Sequence, residues 1–276
     1  MCCEGNRGYG VERQLMKNKM WSVLLTALTG LCLALPVCAA DLRIAAASDL
    51  NFAIKEIIAQ YERDTGNHAL LTLGSSGTFF NQISQGAPFD IYLSADRNYT
   101  EQLLDKKLAE PGSLFIYGIG KIVVWVPKNS AIDVAKLGMQ SLLQPSVQKL
   151  SIANPDHAPY GRAAAAAMRQ AGIYDRVKDK LVLGENISQA AGFVQSGAAQ
   201  AGILALSMAI SAPMRDTGKY WEIPTNTYPV LEQSAVILRH ARESGNLEAA
   251  QSFMRVLKSP QARTILDRYG FMAARP

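Results

Sequence analysis

From residue 42 onward, short apolar runs alternate with longer stretches in which apolar residues recur at helical spacing. The run at 121–126 is apolar and β-branched, which predicts a buried strand. Within 49–64 the apolar residues follow the i, i+3, i+4, i+7 pattern of an amphipathic helix. Repeated strand–helix units of this kind predict an α/β fold, with a mainly parallel sheet and helices on both faces.

The same patterns extend to the end of the chain. Strands are predicted at 42–47, 69–73, 90–94, 121–126, 150–153, 180–184, 199–205 and 234–238. Helices are predicted at 49–64, 76–85, 97–107, 160–171, 188–196, 247–258 and 260–269. Because no Ser/Gly-rich linker divides the chain, we expect any two domains to be joined by ordered strands, at 121–126 and just before Ser234.

The N-terminal segment 1–39 has a different pattern. Lys17 and Lys19 precede an apolar run at 21–35, and small residues follow it. This order is typical of a secretory signal peptide, and the run is short for a membrane span, which needs about 20 residues. We therefore predict a signal peptide with an N-terminal extension over 1–39, cleaved after residue 39 or 40, and an exported mature protein.

All four cysteines lie in this N-terminal segment, at positions 2, 3, 32 and 38. The mature chain is thus expected to contain no disulfide and no Cys-ligated metal. A lipoprotein anchored through Cys38 is the alternative to a cleaved soluble protein. Pro36 and Val37 make it the weaker interpretation, because a small residue should precede a lipidated cysteine.

The composition is that of a globular protein, since 49% of the 276 residues are apolar and 18% are charged. The net charge is +5. Removing 1–39 takes away four basic and two acidic residues, which leaves 24 basic, 21 acidic and a net charge of +3. Because no run of Lys or Arg concentrates this charge, we predict no nucleic-acid partner.

Four of the predicted strands end in small or turn-forming residues, directly before a helix. These turns contain Ser48, Ser76, Tyr160 and Ile187. The first N–H groups of a helix lack partners and carry partial positive charge, so several helix starts aimed at one place can hold an anion. Ligands of open α/β sheets lie at the carboxyl ends of strands, where these turns are. Each turn taken alone is typical of an ordinary helix cap, but the four together also fit a dianion site without a charged side chain.

Seven short segments carry a family resemblance. They read AAAS at 45–48, GSSGT at 74–78, GAPFD at 86–90, SAD at 94–96, NPDHAPYG at 154–161, ENISQA at 185–190 and RYGF at 268–271. In this order they resemble the periplasmic molybdate-binding proteins of ABC transporters, across essentially the whole mature chain.

The resemblance implies a type II periplasmic binding fold, two doubly wound α/β lobes joined by a hinge. Lobe I would comprise 40–120 and 231–276, and lobe II would comprise 121–230. The implied function is the binding of molybdate, and also of tungstate, by lobe closure in the periplasm. The implied partners are a membrane permease and its ATPase. The resemblance further implies a monomer, no cofactor and no direct protein ligand to a metal.

The resemblance also implies which residues bind. Ser48 and Ser76 match binding serines of the first lobe, and Tyr160 and Ile187 match positions that offer main-chain N–H groups in the second. Some family members have a binding tyrosine where this chain has Ala205. We hypothesise that the Tyr160 hydroxyl replaces it, or else that Tyr160 packs on the lobe and contributes only its N–H.

Two other functions stay open. The first is a binding protein of the same fold for another ligand, such as sulfate or a small organic acid, for which Arg162 and Asp49 could form a clamp. We expect instead that both are solvated helix residues. The second is a secreted α/β hydrolase, but GSSG at 74–77 lacks the GxSxG spacing and no HExxH is present, so we predict no enzyme. A site without a carboxylate should also disfavour phosphate.

Overall fold

The computed structural model describes residues 41–274 as two five-stranded sheets with helices packed on them. The predicted signal peptide at 1–39 lies outside the described residues. The strands are β1 Asp41–Ala47, β2 His68–Gly74, β3 Ile91–Ser94, β4 Phe115–Gly120, β5 Ile122–Pro127, β6 Leu150–Ala153, β7 Leu181–Gly184, β8 Ala201–Ala205, β9 Gly218–Glu222 and β10 Leu231–Ile237.

The helices follow the strands in the chain and cover both faces of each sheet. They are α1 Asn51–Thr65, α2 Ser76–Ser84, α3 Arg97–Asp105, α4 Val134–Leu137, α5 Pro159–Gln170, α6 Tyr174–Val177, α7 Ile187–Gln195, α8 Leu206–Ala209, α9 Arg239–Glu243, α10 Leu247–Leu257 and α11 Pro260–Arg268. Short 3₁₀ segments lie at Ser48–Leu50, Gly138–Leu143, Lys178–Lys180 and Thr225–Thr227. Within 41–274, no helix is both long and apolar enough to cross a bilayer.

The two sheets share one topology. The first has the order β2-β1-β3-β10-β4 and the second the order β7-β6-β8-β5-β9. In each, the first three strands are parallel, and the fourth strand (β10 or β5) pairs antiparallel with both of its neighbours, so the fifth strand runs in the direction of the first three. The predicted α/β class is confirmed, and four of the five strands in each sheet run in one direction, with β10 and β5 as the antiparallel strands.

The chain passes from the first sheet to the second between β4 and β5 and returns before β10. We call the first sheet with its helices lobe I and the second sheet with its helices lobe II. Lobe II is built around β5, in which all residues from Ile122 to Val126 are buried. Because β8 and β9 flank this strand and helices cover it, its sequence is a continuous apolar run, as predicted.

Two strands were missed by the sequence patterns, β4 and β9. Both contain glycine, which weakens the strand signal but fits close contacts. A Cβ on Gly120 would lie 2.3 Å from the Tyr160 hydroxyl oxygen, and one on Gly218 would lie 2.0 Å from the Trp125 ring. These glycines allow neighbouring aromatic side chains to pack directly on the backbone.

Candidate functional site

A small cavity lies between the lobes, where β1, β2, β6 and β7 end. All four residues singled out from the sequence line it, namely Ser48, Ser76, Tyr160 and Ile187. The two serines belong to lobe I, and the other two residues belong to lobe II. The structure thus brings together turns that are up to 139 positions apart in the chain (187 minus 48).

The two serines of lobe I are positioned in different ways. Ser76 begins α2, and the Ala95 main-chain N–H donates to its Oγ at 2.9 Å. Because the hydroxyl accepts there, its own proton is available for a further acceptor. Ser48 opens the 3₁₀ segment after β1, and its Oγ donates to Asn186 Oδ1 at 3.2 Å. A hydroxyl proton rotates about its C–O bond, so Ser48 could donate to an anion without moving its oxygen.

Lobe II presents helix starts to the cavity. Tyr160 is the second residue of α5, and Ile187 is the first residue of α7. Neither N–H has a carbonyl four residues earlier in its own helix, so both are free to bind a ligand. Asn186 caps α7 by accepting from the Gln189 N–H at 3.1 Å, which fixes the direction of this helix start. The partial positive charge of both helix ends favours an anion here.

The Tyr160 hydroxyl makes its hydrogen bonds within the protein and is not directed toward a bound anion. It donates to Asp49 Oδ2 at 2.9 Å, and Gln233 Nε2 donates to its oxygen at 3.0 Å. Complete burial and the neighbouring Asp49 carboxyl raise the pKa of Tyr160 well above its usual range, so the hydroxyl keeps its proton. This geometry favours the main-chain N–H, rather than the hydroxyl, as the ligand contact of Tyr160.

Asp49 is buried at the same place, with 1% of its surface exposed. The expectation that it is a solvated helix acid is wrong, and so is the expectation of a site without a carboxylate, because Asp49 lines the cavity. Burial raises its pKa to about 6, against the smaller opposing effect of hydrogen bonds from Tyr160 and Gln233. The sequence does not distinguish Asp49 as a buried residue, because an acid after Ser48 also fits an ordinary first helical turn.

The comparisons with known proteins identify the family. A family model described as "bacterial extracellular solute-binding protein" matches residues 42–272. The chain belongs to this family. A molybdate-binding protein, ModA, of Azotobacter vinelandii is 36% identical over 251 residues, which cover 91% of this chain and 97% of that protein. The ModA of Rhodobacter capsulatus is 35% identical over 240 residues, or 87% of this chain and 91% of that protein.

A solved structure agrees with the sequence relatives. The periplasmic molybdate-binding protein of A. vinelandii superposes with a TM-score of 0.78 at 31% identity, over 85% of this chain and all of that one. The family and the fold predicted from the sequence motifs are thereby confirmed.

This solute-binding protein has its lobes in contact across the cleft. Arg162 on α5 donates to Asp96 Oδ2 at 2.6 Å and to the Tyr99 hydroxyl at 3.1 Å, so Arg162, whose side chain remains 38% exposed, also forms an ion pair across the cleft that was not expected. Ser188 Oγ donates to the Ser48 carbonyl at 3.1 Å. Such bonds across the cleft describe a closed arrangement.

A second group of cross-lobe bonds converges on the main-chain oxygen of His157. Ser75 Oγ donates to it at 2.7 Å and the Gly77 N–H at 2.9 Å. A Cβ on Gly77 would lie 2.4 Å from this oxygen, so a side chain there would hold the lobes apart. The GSSGT segment therefore serves two purposes, because Ser76 lines the cavity while Ser75 and Gly77 contact lobe II.

The cavity contains no cluster that would bind a metal ion directly. Within 41–274, no three His, Cys, Asp or Glu side chains come together as a metal site requires. Ala205, where the family resemblance led us to look for a binding tyrosine, is fully buried at the end of β8. Two residues later, Ser207 Oγ donates to the Asp49 carbonyl at 2.7 Å, so lobe II also contacts the main chain of Asp49.

Proposed function

We propose that this protein binds molybdate, and tungstate, in the periplasm and delivers it to an ABC-type permease with its ATPase. The observation that carries the proposal is the cavity between the lobes, where two serines and two helix starts meet. It is supported by the relatives, since two at 35–36% identity are named as molybdate-binding proteins. We propose that binding requires no cofactor.

We propose that Ser48 and Ser76 donate their hydroxyls, and that Tyr160 and Ile187 donate their main-chain N–H groups. Hydrogen bonds to an ionised acceptor are shorter and stronger than neutral ones, so a set of neutral donors can hold a dianion. Both lobes contribute donors, and only the closed state makes all of these bonds, so the anion favours closure. In this proposed closure two lobes move relative to each other. Lobe I comprises 40–120 and 231–276, and lobe II comprises 121–230.

The other functions considered receive less support. Arg162 is paired with Asp96, so it is not free to clamp an organic carboxylate. The relatives named above are binding proteins, and we propose no enzymatic activity. Sulfate is smaller than molybdate. Because the backbone fixes the positions of the donors, they could not all reach the oxygens of the smaller anion. Tungstate is nearly the same size as molybdate, so we expect both to bind.

We further propose that the binding protein acts as a monomer, exported by cleavage of the segment 1–39. One copy supplies both halves of the cavity, so closure requires no second chain. Mass spectrometry of the exported protein would give the cleavage site, and it would also reveal a lipid on Cys38 if the lipoprotein alternative were correct.

Replacing Ser76 with alanine should weaken molybdate binding about 10- to 100-fold. A hydrogen bond to a charged acceptor contributes about 1.5–3 kcal/mol, and alanine leaves that oxygen without a donor. Isothermal titration calorimetry with molybdate measures the change. The matched control is Ser84→Ala at the exposed end of α2, which should bind as the unmodified protein does. Equal affinities of the two variants would remove Ser76 from the site.

Replacing Tyr160 with phenylalanine should lower the affinity by less than about fivefold. The hydroxyl donates to Asp49, so its loss leaves the main-chain N–H at the start of α5 in place. A loss of about 100-fold or more in the same titration would instead assign the hydroxyl to the anion. Circular dichroism of the variant shows whether the fold is retained.

A further inference from the structure

The most unusual polar group of the cavity is the Asp49 carboxyl. Both of its side-chain hydrogen bonds go to one oxygen, since Tyr160 and Gln233 donate to Oδ2 at 2.9 and 2.8 Å. The other oxygen, Oδ1, is buried and has no partner at hydrogen-bond geometry among the described residues, although the main-chain N–H groups of Asp49 and Leu50 also lower the pKa of the carboxyl, by less than Tyr160 and Gln233 do. This asymmetry fits a neutral carboxylic acid, in which the carbonyl oxygen accepts and the hydroxyl oxygen carries a proton.

Among residues 41–274, no Lys, Arg or His side chain pairs with Asp49, so an ionised carboxylate there would be compensated only by the partial positive charge of the helix starts. The titratable groups facing it are Tyr160 from α5 and Tyr117 from β4, both neutral at physiological pH, with Tyr228 next to Tyr160. Gln233 from β10 and Ser207 from α8 are not titratable. An unpaired buried carboxylate is costly, and a dianion in the same cavity would add repulsion at close range.

We propose that Asp49 is a proton-carrying residue of the anion site, taking up a proton as the lobes close on the dianion and donating it from Oδ1 to an oxyanion oxygen. The step is a proton transfer in which an O–H bond forms at Oδ1 and the corresponding bond of a solvent or buffer acid breaks, while Oδ2 keeps its two donors. This inference rests on the proposed function, because it concerns how the same cavity treats molybdate. With Asp49 protonated, every group that contacts the anion would be a hydrogen-bond donor.

Proton uptake makes the affinity depend on pH with a definite sign. The carboxyl of the closed, anion-bound form holds its proton more tightly than that of an open, hydrated form, so the bound form carries more protons. Binding is then strongest on the acidic side and weakens as the pH rises through the pKa of the bound state. We expect the affinity for molybdate to fall about tenfold between about pH 6 and pH 8, where molybdate itself remains a dianion.

The test is titration calorimetry with molybdate across this interval, in pairs of buffers with different ionisation enthalpies, on the mature chain. The unmodified protein should take up close to one proton near pH 7. Asp49→Asn places a neutral amide in the same space, so it should take up none and bind with constant affinity. The control Asp156→Asn removes one exposed carboxylate next to α5 and should keep the pH dependence of the unmodified protein.

A second measurement does not depend on any variant. The infrared difference spectrum of the unmodified protein with and without molybdate should show the C=O stretch of a newly protonated carboxyl. The proposal is overturned if this band is absent and no proton is taken up, or if Asp49→Asn retains the pH dependence. If the unmodified protein bound no molybdate at any pH, the proposed function itself would fail, which is a different result.

Discussion

Replacing Gly161 with alanine is expected to weaken molybdate binding by about 100-fold and to lower the free energy of unfolding by about 3 kcal/mol. Gly161 is the third residue of α5, and a Cβ there would lie 2.1 Å from the carbonyl oxygen of Ala153, the last residue of β6. The neighbouring atoms belong to the backbone, so no side chain can move aside. The start of α5 must shift, and it would carry the Tyr160 N–H away from the anion.

The chain contains a matched control for this substitution. Gly192 lies inside α7, and a Cβ added there meets nothing within 4 Å. Gly192→Ala should therefore raise stability by about 0.5–1 kcal/mol through helix propensity and leave the affinity unchanged. Denaturant unfolding and calorimetry on both variants make the comparison. Retention of full affinity by Gly161→Ala would show that the position of the α5 start does not matter for binding.

The turns of the site could be predicted from the sequence because their signals are local. Ser48 and Ser76 each follow an apolar run and precede a helical pattern, so their places at strand ends could be read within a few residues. The antiparallel direction of β10 between β3 and β4 could not be predicted, since periodicity reports which faces are buried but not which strand lies alongside.

The contacts that the sequence did not indicate join residues that lie far apart along the chain. Asp49 and Tyr160 are 111 positions apart, and Arg162 and Asp96 are 66 positions apart. An acid in a first helical turn and an arginine on a helix are ordinarily exposed, so local patterns favour solvated side chains. Only the meeting of the two lobes turns Asp49 into a buried acid and Arg162 into a contact across the cleft.

The role of the GAPFD segment at 86–90 also could not be predicted from local sequence. Its aspartate makes hydrogen bonds within lobe I and does not line the cavity. Asp90 is fully buried and accepts four hydrogen bonds outside the cavity. Arg43 N–H and Asn246 Nδ2 donate to Oδ2 at 2.8 and 3.0 Å. His240 Nδ1 and Ser244 Oγ lie 2.9 and 3.1 Å from Oδ1. These contacts connect the residue that precedes β3 with three other elements of lobe I, namely β1, α9 and the start of α10.

Replacing Asp90 with alanine is therefore expected to lower the free energy of unfolding by about 3–5 kcal/mol, because it leaves several buried donors without their acceptor. The affinity for molybdate, measured at low temperature where the variant is folded, should stay within about threefold. The control Asp105→Ala removes an exposed acid at the end of α3 and should change stability by less than about 0.5 kcal/mol.

Molybdate adds a second readout to this comparison. A ligand that binds only the folded state raises stability by an amount set by its concentration and dissociation constant. If Asp90 acts only on lobe I, saturating molybdate should stabilise the Asp90→Ala variant by the same free energy as the unmodified protein. A smaller increment would mean that the Asp90 contacts extend their influence to the cleft, and that the GAPFD segment takes part in binding as well as in stability.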